Sequence, residues 1–311
     1  MSAHAVMTIK SLHQSLDALG STCDLTITSS LKNTHELEEI ARHVWLEVAK
    51  FERLFSRFIP GSELSHINAR AGISTPVSRQ CYDLLRSAKL AAGRTDDVFN
   101  PFVLPGVQRA GYLKSRLTGR EEDETINYTY RAIVPSSRMR LQSGQITIPY
   151  NTAIDFGGCG KGYLAEKIAD YLESEKLDGF WISIGGDAVG SGSNEHGSPW
   201  QVGIALEPNG PEAYIVMPEE KRFGVATSGT TVHKSHIVDG KTGKIAQTKY
   251  MVATVLHDSA FWADILASIV LTTEPSKLSE LIAKHNIKKV ITFDQNQRKK
   301  VYERKTQGGI A

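Results

Sequence analysis

The chain has 311 residues, of which 41% are hydrophobic, and its 36 basic and 34 acidic residues leave a net charge of +2. A chain of this length and composition can bury a large core, which predicts a folded globular protein rather than a disordered one. The near-neutral charge indicates no general attraction to nucleic acid, so an anionic ligand would need a local site. The three cysteines cannot all pair, which argues against a disulfide framework.

The first residues, MSAHAVMTIKSLHQ, have neither the basic and apolar regions of a secretory signal nor a lipid-attachment cysteine. No apolar run approaches the roughly 20 residues that a membrane-spanning helix needs. We therefore expect a cytoplasmic protein without a transmembrane segment. The alternative is the mature form of a cell-envelope protein.

The N-terminal part of the chain predicts strands followed by helices. Residues 12–29 alternate between apolar and polar in the manner of two short strands. Asn33, with Glu36 three residues later, predicts the start of a long helix. A second helix is predicted over 79–93, and the polar, charge-rich segment 114–138 predicts an excursion or mobile loop.

Strand character dominates the second half of the chain. Residues 139–148 predict a hairpin with its turn at 142–145, and the basic cluster at 298–305 is expected to be a solvated tail. The other predicted strands lie at 180–189, 201–206, 213–217, 222–226, 250–256 and 289–294. The other predicted helices lie at 161–175, 259–272 and 275–285. Because strands and helices do not alternate regularly, the pattern favours an α+β fold with mostly antiparallel sheets and packed helices.

The run DFGGCGKGYLAEKIADYLE at 155–173 joins an acidic residue, a glycine cluster and a lysine to the start of an amphipathic helix. The glycines are expected to let the backbone adopt positive φ and approach an anion at the helix N-terminus. These glycines are Gly157, Gly158, Gly160 and Gly162. The run is neither a Walker A loop nor a dinucleotide fingerprint, so by itself it leaves a phosphate site and an ordinary glycine-rich turn equally open.

Two further clusters concentrate groups that can bind ligands. The segment ATSGTTVHKSHIVDGKTG at 226–243 is rich in hydroxyl and imidazole side chains. In FWADILASIVL at 261–271, Asp264 and Ser268 are four residues apart and share one face of a predicted helix. A carboxylate and a hydroxyl are hard oxygen ligands that suit Mg²⁺ when phosphate oxygens complete its shell. An aspartate that only caps or bridges within its helix is the alternative.

These clusters, in this order, resemble the FAD:protein FMN transferases, the ApbE-type flavin transferases once described as thiamine-biosynthesis lipoproteins. The resemblance runs nearly end to end and implies a single domain over residues 1–311. It also implies two intertwined subdomains that form a flavin-nucleotide cleft. The matching segments are LGSTCDLTI at 19–27, FSRFIPGSELSHINA at 55–69, TDDVFNPFVLP at 95–105, DFGGCGKGY at 155–163, ISIGGDAVGSG at 182–192, PWQVGI at 199–204, ATSG at 226–229, SHIVDGKTG at 235–243 and ADILAS at 263–268.

The resemblance implies a role for each matching position. Asp155 and Lys161 are expected to contact FAD, and His236 is expected to activate the acceptor hydroxyl. The positions expected to line the flavin nucleotide are Phe58, Val98, Phe99, Asn100 and Ile237. The positions expected to bind Mg²⁺ are the carbonyl of Gly158 and the side chains of Asp264 and Ser268.

The implied reaction is Mg²⁺-dependent transfer of FMN from FAD to a Thr or Ser hydroxyl of a target protein, with release of AMP. Two alternatives use the same site: a Mg²⁺-dependent FAD pyrophosphatase that gives FMN and AMP, and a non-catalytic FAD-binding or carrier protein. The connection from Gly229 to His236 is short, and Thr230-Thr231 stand where many members of the family have an acidic residue. This departure is the main support for the carrier alternative, while the transferase is the function that we expect.

Overall fold

The computed structural model describes residues 9–113, 128–129, 131–207, 210–219, 221–230 and 237–304. Within these residues the fold is α+β, as predicted, with seven α-helices and mostly antiparallel strands. The strands are β1 (Lys10–Ala18), β2 (Ser21–Ser29), β3 (Thr75–Pro76), β4 (Arg140–Gln142), β5 (Gln145–Thr147), β6 (Gly179–Ile184), β7 (Asp187–Gly192), β8 (Val202–Ala205), β9 (Glu212–Val216), β10 (Arg222–Gly229), β11 (Val252–His257), β12 (Lys289–Phe293) and β13 (Lys299–Glu303). The helices are α1 (Thr34–Phe55), α2 (Glu63–Ala69), α3 (Arg79–Arg94), α4 (Leu104–Arg109), α5 (Gly160–Ser174), α6 (Ala260–Thr272) and α7 (Leu278–Lys284).

Local sequence signals account for the first elements. Leu19 and Gly20 form the turn between β1 and β2 with φ of 55° and 72°, which leaves Ala18 paired with Ser21. The predicted capping box of α1 is confirmed: Glu36 N donates to the Asn33 side chain over 3.0 Å, and Asn33 N donates to the Glu36 carboxylate over 2.8 Å. These bonds satisfy N–H groups that the first turn of a helix leaves without partners.

The main sheet has eight strands in the order β1-β2-β6-β7-β10-β11-β12-β13, and every neighbouring pair is antiparallel. The prediction of one strand over 180–189 is wrong, because Gly185 and Gly186 turn the chain between β6 and β7 with φ of 64° and 92°. The double glycine is itself a hairpin signal, and the prediction passed over it because the apolar residues on either side belong to two buried, central strands.

The prediction of a solvated tail at 298–305 is wrong where the structure describes it, since β13 pairs with β12 at the edge of the main sheet. Lysine side chains on an edge strand reach solvent while the backbone keeps its ladder, so their charge did not reveal the strand.

Helices α5 and α6 pack side by side on one face of the sheet, over β6, β7, β10 and β11, and α1 packs against β1 and α5. The β8–β9 hairpin contributes to a smaller apolar cluster on the other face. Strand β10 separates the two cores: Ala226 belongs to the one that contains the helices, and Val225 belongs to the one with the hairpin. This alternation follows from the two-residue period of a strand.

Charged side chains tie α5 to its neighbours. Arg222, at the start of β10, contacts three carboxylates of α5: Glu166 at 2.9 Å, Asp170 at 2.9 Å and Glu173 at 2.6 Å. The second oxygen of Glu166 accepts a 2.7 Å hydrogen bond from Ala260 N, in the first turn of α6. The starts of α5 and α6 are therefore held relative to each other and to the sheet.

A small sheet with the order β3-β5-β4 contains the predicted hairpin, whose turn residues Ser143 and Gly144 have positive φ of 49° and 75°. Most of the predicted excursion at 114–138 lies outside the described residues. In its described part, Tyr128 is buried and Ser136–Arg138 forms a 3₁₀ turn. No helix in the described ranges combines the length and the apolar character that a membrane crossing requires.

Candidate functional site

A cleft of about 1280 Å³ lies where the start of α5, the body of α6, the end of β10 and the loops around 98–100 and 237–247 meet. All the predicted site residues that the structure describes line this cleft. They are Phe58, Val98, Phe99, Asn100, Asp155, Gly158, Lys161, Ile237, Asp264 and Ser268. His236 lies outside the described residues, although Ile237, its neighbour in the chain, is in the cleft wall.

The glycine run around the start of α5 does not adopt unusual backbone angles, and at Gly162 it permits close packing. The expectation of positive φ is wrong, because none of Gly157, Gly158, Gly160 and Gly162 is among the positive-φ glycines of the described chain. A Cβ on Gly162 would lie 2.4 Å from the carbonyl oxygen of Ala260 and 2.7 Å from Cβ of Asp264. Glycine at this position lets the first turn of α5 touch α6 directly.

Asp264 accepts a hydrogen bond from an N–H group in the first turn of α5 that has no partner within the helix. Gly162 N donates to Oδ2 of Asp264 over 3.0 Å, and the aspartate is 4% exposed. Burial raises the pKa of Asp264, and the nearby charge of Lys161 opposes that shift. No hydrogen bond to its Oδ1 is found within the described residues, so this oxygen is available to a ligand.

Lys161 is paired with a carboxylate that the sequence analysis did not single out. Its Nζ contacts Oδ2 of Asp187, which is 2% exposed at the start of β7. Burial, reinforced by repulsion from Asp264, raises the pKa of Asp187 to about 7 although Lys161 acts in the opposite direction. Burial also acts to lower the pKa of Lys161, but the two carboxylates outweigh it and the net shift is upward. Lys161 is therefore protonated, and its positive charge lies in the wall of the cleft.

Sequence reasoning missed Asp187 for an identifiable reason. Its only signal was its position after the double glycine in ISIGGDAVGSG. An aspartate after two glycines is equally typical of an exposed turn, and only the fold buries it beside Lys161.

The apolar side of the cleft contains Phe58, Phe99 and Ile237. The Phe58 ring meets Tyr112 edge to face with ring centroids 6.1 Å apart, and the Arg57 guanidinium lies 4.6 Å from the centroid of each ring. This aromatic group is held in place before any ligand binds.

Asn100 supports the cleft wall through its amide. Its Nδ2 donates to the carbonyls of Val134 (3.0 Å) and Gly240 (2.8 Å), and its Oδ1 accepts from Phe102 N (3.0 Å). The side chain is 2% exposed, so it fixes the loops around the cleft. Asp155 accepts a 2.8 Å bond from Gly157 N through Oδ2.

The donor set fits a magnesium ion shared with a substrate better than a closed protein cage. Within the described chain, no three His, Cys, Asp or Glu residues form a metal-binding group. Asp264 supplies one available carboxylate oxygen, and the hydroxyls of Ser268 and Ser228 lie beside it on the cleft wall. Mg²⁺ is commonly held by one or two carboxylates together with substrate phosphates.

The ApbE family model matches residues 19–291 of the chain. The FAD:protein FMN transferase of Vibrio cholerae is 28% identical over 226 residues, which cover 68% of this chain and 67% of that protein. The protein of the same name from Escherichia coli K12 is 21% identical over 275 residues, which cover 80% of this chain and 75% of that protein.

Two solved structures show the same fold. The apo form of the flavinyl transferase ApbE from Pseudomonas stutzeri has a TM-score of 0.79 at 19% identity, over 97% of this chain and 96% of that one. The ApbE protein of Thermotoga maritima has a TM-score of 0.79 at 20% identity, over 95% and 97%. Because the family model spans most of the sequence and the fold agrees, this chain belongs to the ApbE family.

Proposed function

We propose that this protein is a FAD:protein FMN transferase that moves FMN from FAD to a Thr or Ser hydroxyl of a target protein and releases AMP in a Mg²⁺-dependent reaction. The observation that carries the proposal is that one cleft joins Lys161, Asp264 and Ser268 to an apolar wall that includes Phe58 and Phe99. The polar end suits a pyrophosphate, and the aromatic end suits a flavin ring. The names of the relatives point to the same activity.

The charge of the cleft supports the involvement of a divalent cation. Eight acidic side chains line the cleft against three basic ones, Arg57, Lys161 and Lys244. An anionic dinucleotide would meet net repulsion there, and a cation held by Asp264, Ser268 and the Gly158 carbonyl would offset it. When bound, Mg²⁺ would neutralise charge that accumulates on the pyrophosphate oxygens during transfer.

The residues of the chain supply binding and orientation. Lys161 and the N-terminal end of α5 attract the phosphates, because a protonated amine and the positive end of the helix dipole favour an anion. Phe58, Phe99 and Ile237 give the flavin an apolar surface that excludes water from one side. Positioning and electrostatics of this kind account for most of the catalysis of phosphoryl transfer.

In the transfer step, the acceptor oxygen forms a bond to the FMN-side phosphorus while the bond from that phosphorus to the bridging oxygen breaks. The electron pair of the broken bond leaves with AMP. The hydroxyl proton needs a base, and we assign this role to His236, which the family resemblance implies and which is the chain neighbour of the cleft residue Ile237.

The test is to incubate the protein with FAD, Mg²⁺ and a panel of Thr- and Ser-containing peptides, and to measure peptide mass and AMP. A peptide that gains FMN, with one AMP per transfer, is the expected result. Free FMN and AMP with unmodified peptides would identify a pyrophosphatase. Tight FAD binding without AMP would identify a carrier, and either result would overturn the proposal.

A further inference from the structure

Ser228 and Ser268 meet across the boundary between the main sheet and α6. Their Oγ atoms are 3.0 Å apart, a hydrogen bond in which either hydroxyl can donate. Both side chains are half-buried, and both line the cleft. The mechanism proposed above gives Ser228 no role, although Ser228 contacts Ser268, the predicted hydroxyl ligand of the metal.

The direction of the Ser228 side chain follows from the register of β10. Side chains alternate along a strand, and Ala226 already packs on the side that carries α6. Ser228 therefore points to α6, while Thr227 points to the opposite face and bonds Thr254 over 2.9 Å. The ladder fixes this arrangement by pairing Ser228 with Ala253 and Thr227 with Thr254.

Hydroxyl side chains in helices often hydrogen-bond to a carbonyl of their own helix, and Ser268 makes a different contact. Thr272, one turn later on α6, donates to the carbonyl of Ile269 in its own helix over 3.0 Å. The hydrogen bond that the structure describes for Ser268 instead leaves the helix and reaches Ser228. Serine has no β-branch to restrict χ1, so this contact is what selects its rotamer.

We propose that Ser228 is a positioning residue that accepts a hydrogen bond from the Ser268 hydroxyl and thereby turns a lone pair of Ser268 toward the cation held with Asp264. This inference rests on the proposed function, to which the cation belongs. A hydroxyl has one proton and two lone pairs, so a hydroxyl that binds a cation must donate its proton in another direction. The Oγ of Ser228 is an acceptor at the required distance.

The experiment is a titration of the full-length protein with FAD, followed by flavin fluorescence, in EDTA and over a series of Mg²⁺ concentrations. Ser228→Ala should bind FAD as the wild type does in EDTA. Mg²⁺ should raise its FAD affinity as well, but the Mg²⁺ concentration that gives half of this gain should be about tenfold higher than in the wild type. A loss of about tenfold is near the lower end of what is seen when a metal ligand loses the residue that orients it. Ser228→Thr keeps the hydroxyl and should restore the wild-type Mg²⁺ requirement.

Two controls separate positioning from general damage. Thr254→Val removes the hydrogen bond between Thr227 of β10 and Thr254, and Thr254 itself does not line the cleft, so this variant should leave the Mg²⁺ requirement unchanged. If Ser228 acts through Ser268, Ser228→Ala should add nothing to Ser268→Ala in the double variant. Circular dichroism checks that each variant folds, and Ser228→Cys, a weak acceptor of similar size, replaces Ser228→Ala if the latter does not.

A wild-type Mg²⁺ requirement in the folded Ser228 variants, or additive losses in the double variant, would overturn the inference. Asp264→Asn distinguishes this failure from failure of the proposed metal site. If Asp264→Asn abolishes the Mg²⁺ effect while Ser228→Ala does not alter it, only the role of Ser228 is wrong. If Asp264→Asn keeps the wild-type Mg²⁺ effect, the metal assignment is wrong and the inference falls with it.

Discussion

At the scale of single residues, Asp264 combines two tasks. One oxygen holds the N–H of Gly162 in the first turn of α5, and the other is available to a ligand. An asparagine can keep the first task, since its amide oxygen still accepts a hydrogen bond, but it loses the charge that a cation requires. The two tasks are therefore separable by substitution.

We expect Asp264→Asn and Asp264→Ala both to lose Mg²⁺-dependent transfer by more than about 100-fold, because a direct ligand should matter more than a residue that only orients one. Asp264→Ala should also lose about 1–3 kcal/mol of unfolding free energy, since the Gly162 N–H is left without its acceptor. Transfer assays at limiting Mg²⁺ and urea unfolding measure the two effects. Full activity of either folded variant would contradict the metal assignment.

The pairing of Lys161 with Asp187 makes a second residue-scale prediction. Lys161→Met should weaken FAD binding and also lower the unfolding free energy, since it leaves Asp187 buried without its partner. The stability loss should be about 1–3 kcal/mol, below the roughly 3–5 kcal/mol of a fully buried pair, because the Lys161 side chain is 31% exposed.

Adding Asp187→Asn to Lys161→Met should recover part of the stability but not the FAD affinity, because a neutral amide replaces a buried carboxyl group that has lost its partner, while the cation is still missing. Urea unfolding and flavin fluorescence titration provide the two readouts. Unchanged FAD affinity in Lys161→Met would mean that the glycine-rich segment is only a turn.

At the scale of elements, the close approach of α5 and α6 shapes the polar end of the cleft. Gly162→Ala should cost about 1–3 kcal/mol of unfolding free energy and impair Mg²⁺-dependent FAD binding, because the new methyl group would meet the Ala260 carbonyl and Asp264. Gly158→Ala is the matched control. Its Cβ would meet only the Phe99 ring at 3.6 Å, so we expect near wild-type thermal unfolding. Equal behaviour of the two variants would refute the packing role of Gly162.

His257, the last residue of β11, links that strand with the start of α6 and the end of α7. His257 Nδ1 accepts a 2.9 Å bond from Ser259 N, and its Nε2 lies 3.1 Å from the carbonyl of His285, which suits a neutral ring protonated on Nε2. Burial lowers the pKa of His257 below its ordinary value of 6.5. The unfolded chain therefore binds a proton at pH values where the folded protein does not.

Asp187, whose pKa is raised to about 7, gives the opposite pH dependence in this range. The contribution of His257 to the unfolding free energy should fall as the pH drops below about 6.5, and should be fully retained above it. His257→Gln, which keeps a donor for the His285 carbonyl, should reduce this dependence when urea unfolding is measured between pH 5 and 7.5. Some dependence should remain, because burial also lowers the pKa of His285. An unchanged slope would exclude His257 as its source.

At the scale of the whole molecule, binding and chemistry should be separable, because the cleft residues are assigned to the nucleotide and the family resemblance assigns His236 to the acceptor hydroxyl. His236→Ala should leave FAD affinity nearly intact and slow FMN transfer by about 10²–10⁴-fold, the usual contribution of a positioned general base. Transfer rates at saturating FAD and Mg²⁺ measure this, with His233→Ala as the control. Wild-type rates in His236→Ala would remove His236 from the mechanism.

Much of the architecture was predictable because it depends on neighbours in the chain. The Asn33–Glu36 capping box and the apolar period placed α1, and the Asp264–Ser268 spacing placed two groups on one helical face. The turn between β6 and β7 was missed although Gly185-Gly186 signals it, because the prediction joined the apolar segments on both sides into one strand. The edge strand β13 was missed because its side chains are charged.

The sequence alone determined the long helices, most of the strands, the α+β class and a set of residues that the fold brings into one cleft, because periodicity, capping and motif order can be recognised without the fold. Only the tertiary structure decided how these residues are partnered. Lys161 meets Asp187 across 26 positions, Ser268 meets Ser228 across 40, and Asp264 meets Gly162 across 102. Such contacts arise when α5, α6 and β10 pack together, and no local pattern in the sequence encodes which distant side chain will complete a buried charge or a hydroxyl pair.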